Sequence, residues 1–190
     1  MQFKKIVVIG PESTGKSFLC KQLAQHYNSV WVPEYAREYL LTNGKEYTYE
    51  DLSVIAAGQI NSEETILHDL SELDPGNPAK NQPVFIDTDL YVIKVWSEFV
   101  FNRCENRVLN QIALRNYDLY LLCNTDLPWE KDELREYPDI ETRKKLFHYY
   151  KDAMINQSAP WVQISGKYDK RLSLAVDAVD KLMGNRSFKL

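Results

Sequence analysis

The sequence predicts an α/β domain in which a central parallel sheet of about five strands lies between two layers of helices. Two observations lead there. Short, β-branched apolar runs recur along the chain. Between them come stretches with helical spacing of apolar residues. Buried strands separated by helices pair in parallel through right-handed crossovers, with helices covering both faces.

The first run, Phe3 to Ile9, is a buried strand that ends in Gly10-Pro11-Glu12-Ser13-Thr14-Gly15-Lys16-Ser17. A helix follows, with Leu19, Leu23 and Ala24 on its inner face. Residues 29–32 read as a second strand, stopped by Pro33, which cannot donate to a ladder. Helices are expected near 34–42 and 49–74. The second of these carries Leu52, Ile55, Ala56, Ile60, Ile66, Leu67 and Leu70 inward. The segment 75–83, rich in proline and glycine, breaks the pattern. Val84-Phe85-Ile86-Asp87 is the third strand, running into a helix from 90 to 101. A helix near 105–116 precedes the fourth strand, residues 119–123. The irregular stretch 124–138 comes next, then a helix to about 156 that Asp139 caps. Trp161 to Ile164 is the fifth strand, and a helix from about 169 to 183 closes the domain.

Composition narrows the functional class. A length of 190 residues suits one domain, and 44% hydrophobic with 26% charged residues belongs to a globular chain. A net charge of -4, with basic residues scattered, argues against a nucleic-acid partner. No apolar run is long enough to span a bilayer, and the first strand starts too early to leave room for a signal peptide. Cys20, Cys104 and Cys123 stand far apart, as reduced thiols of a cytoplasmic protein would. His26, His68 and His148 form no metal-ligand pattern.

The chemistry is concentrated in residues 10–17. Gly10-x-x-x-x-Gly15-Lys16-Ser17, between a buried strand and a helix, is a complete phosphate-loop pattern. Its glycines turn successive backbone N–H groups inward, and the helix that follows aims its positive end at the same anion. Gly10, Glu12, Ser13, Thr14, Gly15, Lys16, Ser17 and Phe18 are the expected nucleotide-binding set. Lys16 would meet the terminal phosphates of ATP, and the Ser17 hydroxyl suits Mg²⁺. The predicted fold is therefore the three-layer P-loop NTPase fold.

Asp87 ends a strand where a metal-associated carboxylate belongs, so Ser17 and Asp87 are the candidate Mg²⁺ ligands. Asp89 is a candidate helix cap or acceptor contact. Glu34 directly follows the second strand, at the carboxyl edge where ligands of open sheets bind. Tyr35 and Arg37 lie beside it. Glu34 either meets the acceptor or forms an internal ion pair. Arg135, in the expected lid 124–138, is the first candidate to neutralise charge on the transferred phosphate, with Arg143 second. Glu12, repelled by phosphates, must point away, towards Arg37 or the acceptor. The third-strand segment lacks a DxxG, and Asn124-Thr125-Asp126 is not the guanine-reading sequence, so a GTPase is excluded. A small-molecule kinase or an ATP-binding regulator remains.

These motifs together resemble a known family. Gly-Pro-Glu-Ser-Thr-Gly-Lys-Ser, Glu34 to Tyr39, Phe85 to Asp89, and Pro128-Trp129 with Asp132 to Arg135 are similar to the ribosylnicotinamide kinase domain of bacterial NadR proteins. The resemblance spans nearly the whole chain. It implies a nucleoside-kinase-like fold and Mg-ATP-dependent phosphorylation of the 5′-hydroxyl of nicotinamide riboside to nicotinamide mononucleotide. On that reading Lys16, Glu34, Asp89 and Arg135 are the catalytic set, and Tyr35, Arg37 and Asp89 bind the acceptor. Two positions depart from the family. The lid reads Asp132-Glu133-Leu134-Arg135 in place of Asp-Gly-x-Arg, and Pro33 replaces an aromatic. A cationic pyridinium favours aromatic faces and carboxylates, for which Trp31, Tyr35, Tyr91, Trp96 and Asp89 are candidates. Another nucleoside acceptor and a homo-oligomer are both compatible with the sequence.

Overall fold

The computed structural model describes residues 3–73, 77 and 82–184. Its five strands are β1 (Lys5–Ile9), β2 (Trp31–Val32), β3 (Val84–Asp87), β4 (Leu119–Cys123) and β5 (Trp161–Ile164). Its seven helices are α1 (Lys16–His26), α2 (Tyr35–Asn43), α3 (Tyr49–Glu72), α4 (Leu90–Phe101), α5 (Asn106–Leu114), α6 (Ile140–Ile155) and α7 (Tyr168–Met183). All strand pairings are parallel, in the order β2-β3-β1-β4-β5. The expected α/β architecture is the one observed.

Side chains alternate through the central strand, and this alternation makes the three layers. Ile6 and Val8 face α1 and α7, packing with Leu19, Leu23, Ala175 and Val179. Val7 and Ile9 face the other way, onto Val92 and Val95 of α4 and Leu146, Phe147 and Met154 of α6. A third cluster joins α2, α3, α4 and α5 through Ala36, Leu52, Ile55, Ile93 and Val108.

β2 is shorter than the expected 29–32, because residues 29 and 30 precede the ladder and Pro33 ends it. α3 opens on a capping box in which Thr48 and Asp51 satisfy each other's backbone donors. Asp139 caps α6 as expected, accepting from the Thr142 amide at 2.7 Å. Within the expected breaker segment 75–83, residues 75, 76 and 78–81 lie outside the described residues. No helix among the described residues is long and apolar enough to cross a membrane.

The chain lays β1 in the middle, places β2 and β3 on one side, then crosses to β4 and β5 on the other. The carboxyl ends of β1, β3 and β4 therefore flank a topological switch point, the usual location of a ligand crevice in an open α/β sheet.

Candidate active site

A cavity of about 640 Å³ opens at that switch point. One end is the loop 10–17, which rises from β1 and turns into α1. Gly10 has φ 141, and a Cβ there would stand 2.6 Å from the Cys123 carbonyl oxygen, so only glycine lets the loop pass so close to β4. Gly15 (φ 77) and Ser13 (φ 55) take left-handed backbone conformations, which give the loop its curl. Thr14 Oγ1 and Lys16 Nζ both donate to the Pro11 carbonyl, at 2.7 and 3.0 Å. The lysine is thus folded over the concavity that its own loop encloses.

Two carboxylates from the ends of β2 and β3, Glu34 and Asp87, also line the cavity. Asp87 ends β3 fully buried, and its Oδ1 has no hydrogen-bond partner. Burial, then the Glu34 carboxylate, push the Asp87 carboxyl up to about 7, against the pull of Lys16, Ser17 and Lys21. A buried, unpartnered carboxylate oxygen beside a serine hydroxyl is a hard-oxygen donor set that fits Mg²⁺. Ser17, Asp87 and Glu34 all line the cavity.

Thr88 separates the two candidate aspartates with φ 69, a left-handed conformation that costs a β-branched residue on the order of 1–3 kcal/mol. This kink sends the two carboxylates apart. Asp87 faces the crevice, whereas Asp89 caps α4, accepting from the Tyr91 amide at 3.0 Å and the Tyr120 hydroxyl at 2.8 Å. Asp89 does not line the cavity. The placement of Asp89 as a catalytic and acceptor-binding residue is therefore corrected. Both of its oxygens are committed to the fold.

Tyr35 needs the same correction. Its ring lies on Gly58 of α3, where a Cβ would come within 2.0 Å of it, and its amide donates to Gln59 Oε1. The apolar spacing of α2 turns that ring inward, away from the cavity. Tyr91 is packed edge-on against Tyr120, also outside the cavity lining. Trp31 and Trp96 do line it. So do Phe99, Leu146, Tyr137 and Tyr150. The last four were not anticipated from the sequence.

Arg37 lines the cavity and pairs with Asp132 through two bonds of 3.1 Å. Glu12 therefore does not pair with Arg37. Its carboxylate points out of the loop and accepts from the Trp129 indole and from the amides of Glu136 and Tyr137. Its charge is thus held by the 124–138 segment.

The two candidate arginines separate clearly. Arg135 lines the cavity and donates to the Glu130 carbonyl. Arg143 is only 2% exposed and donates to the carbonyls of Ser13 and Leu127, so it braces the loop from behind. A second buried arginine, Arg171, went unrecognised. It bonds the carbonyls of Thr14, Asn124 and Gly166 and the Asp126 carboxylate, tying the phosphate loop to the ends of β4 and β5. The spacing of Arg171, Ala175 and Val179 on the inner face of α7 was the available signal. Phe18 and Tyr168, both exposed, meet edge-on at 5.1 Å at the mouth above Gly15. Tyr168 was likewise missed.

Comparisons with known proteins agree with the fold. The AAA domain family matches residues 5–171. The trifunctional NAD biosynthesis/regulator proteins NadR of Escherichia coli and Salmonella typhimurium are each 26% identical over 188 residues. Those alignments cover 96% of this chain and 43% of each relative, so the chain spans less than half the length of the curated relatives it matches. A solved NadR protein in complex with NR superposes with a TM-score of 0.77 at 25% identity, covering 99% of this chain and 52% of that one. Another, in complex with NAD and AMP-PNP, gives 0.72 at 24% identity over 99% and 51%. The likeness to NadR read from four motifs extends to nearly the whole chain.

Proposed function

The chain belongs to the AAA domain family, and from that premise we propose that it is an ATP-dependent kinase acting on a nucleoside, with nicotinamide riboside the leading acceptor. One observation carries the reading. The phosphate loop, the carboxylates of Asp87 and Glu34, and the rings of Trp31, Trp96, Phe99, Tyr137 and Tyr150 all line one cavity. A phosphoryl donor and a ring-bearing acceptor would meet there.

The loop amides and Lys16 hold the donor phosphates. Mg²⁺, held by Ser17 and Asp87, would neutralise phosphate charge. Glu34, at the amino end of α2 with no capping bond to make, is free to accept a hydrogen bond from the acceptor hydroxyl and orient it in line. Arg135 supplies positive charge on the lid side. The exposed pair Phe18 and Tyr168 offers aromatic faces to the donor base.

Trp31, Trp96, Phe99, Tyr137 and Tyr150 suit a flat base, and the carboxylate of Glu34 suits a cationic one. The NadR protein solved with NR supports this acceptor. The test is ADP release from Mg-ATP with a panel of nucleosides. Release that depends on a nucleoside, fastest with nicotinamide riboside, supports the kinase. Tight ATP binding with release indifferent to every nucleoside would point instead to a regulator.

A further inference from the structure

Glu12 is an unexpected residue in a loop built to attract anions. Both of its oxygens are occupied. Oε1 accepts from the Tyr137 amide at 2.7 Å and the Trp129 indole at 3.2 Å, and Oε2 accepts from the Glu136 amide at 2.9 Å. Hydrogen bonds to an ionised acceptor are roughly twice as strong as neutral ones. The donors also come from two separate parts of the 124–138 segment. Ser13 adds to the clasp, accepting from the Glu130 amide at 2.9 Å and donating to the Pro128 carbonyl at 3.4 Å. The segment is thus fastened to the phosphate loop at both limbs.

The amides that Glu12 holds belong to residues that line the cavity. Tyr137 packs edge-on against Phe99, another lining residue, at 5.5 Å. Glu136 accepts from the Tyr47 hydroxyl at 3.3 Å, and that hydroxyl accepts from the Trp96 indole at 2.6 Å. A shift of the Glu12 carboxylate would therefore move the wall around the acceptor base.

We propose that Glu12 is a positioning residue that couples the two substrates: from within the donor loop its carboxylate sets the placement of Glu136 and Tyr137, and so the cavity wall around the acceptor. The inference deepens the kinase reading and rests on it for its functional consequence. Coupling of this kind is reciprocal, so a filled donor loop tightens acceptor binding and a bound acceptor tightens ATP binding by the same factor.

The test is Glu12→Gln, which keeps the shape but replaces one acceptor oxygen by an amide group that faces a backbone donor. Amide hydrogen exchange, measured by NMR on the ligand-free protein, needs no activity. Exchange at Glu136 and Tyr137 is expected to quicken about tenfold or more, with β1 and α1 amides unchanged. In steady-state assays with the other substrate saturating, the acceptor KM and the ATP KM are expected to rise by similar factors. Unchanged exchange at 136 and 137, exchange that quickens equally in β1 and α1, or a rise confined to one KM would each overturn the proposal. Should the wild-type protein phosphorylate no nucleoside, the kinase reading fails, and the exchange result alone decides whether Glu12 holds the segment.

Discussion

Arg37 and Asp132 face each other as a planar pair, two guanidinium nitrogens each 3.1 Å from a carboxylate oxygen. The pair joins α2, just past Glu34, to the 124–138 segment, three residues before Arg135. The hydrogen bond lowers the Asp132 carboxyl and raises the Arg37 guanidinium from their ordinary values. Both side chains are partly exposed, so solvent screening limits the pair's worth to stability.

Asp132→Asn should therefore leave thermal stability within about 1 kcal/mol of wild type while lowering acceptor-dependent kcat/KM several-fold. A melting curve beside a steady-state assay checks it. A large fall in melting temperature would mean that the pair is structural rather than a fastening of the cavity wall.

Asp87→Asn removes the carboxyl group that the β3 end presents to the cavity. Turnover is expected to fall by about a hundredfold or more, the scale of losing a group that stabilises transferred charge. The Mg²⁺ concentration needed for half-maximal rate should rise as well. A metal titration of the variant that overlays the wild type would remove Asp87 from the metal site.

Asp89→Asn should act on stability. Burial pushes the Asp89 carboxyl up to about 7, from an ordinary value of 3.8. Between those values the folded protein keeps a proton that the unfolded chain releases, so this group's contribution to stability declines as pH rises from about 4 to about 7. Urea unfolding at pH 5 and pH 8 should show a smaller difference in the variant than in wild type. Asp87, shifted in the same direction, retains its own share.

Glu34→Gln tests orientation of the acceptor hydroxyl. A kcat lowered by about a hundredfold, with the ATP KM little changed, is the expected result. A variant with wild-type kcat would assign the hydroxyl to another group.

The strands and the phosphate loop were legible because they are local patterns. Val7-Val8-Ile9 is apolar whichever neighbours it finds, and Gly10 and Gly15 are dictated by backbone geometry that a spacing rule captures. Side-chain direction was not local. Asp87 and Asp89 differ in role because Thr88 takes a left-handed turn, and nothing about a threonine announces that. Tyr35 turned inward because Gly58, on a different helix, leaves room for its ring. Arg143 and Arg171 are braces whose partners, the Asp126 carboxylate apart, are carbonyls, and carbonyls carry no sequence signature. Glu12 was recognised as anomalous, yet its partners are backbone amides more than a hundred residues away.

The central claim is that ATP held by the loop 10–17 gives its terminal phosphoryl group to a nucleoside in the same cavity. Mass spectrometry of wild type and Lys16→Ala with Mg-ATP and nicotinamide riboside addresses it directly. The account predicts nicotinamide mononucleotide in step with ADP for the wild type, and product lowered by orders of magnitude in a variant that remains folded. Equal product from both proteins, or ADP from wild type with no phosphorylated nucleoside, would contradict it.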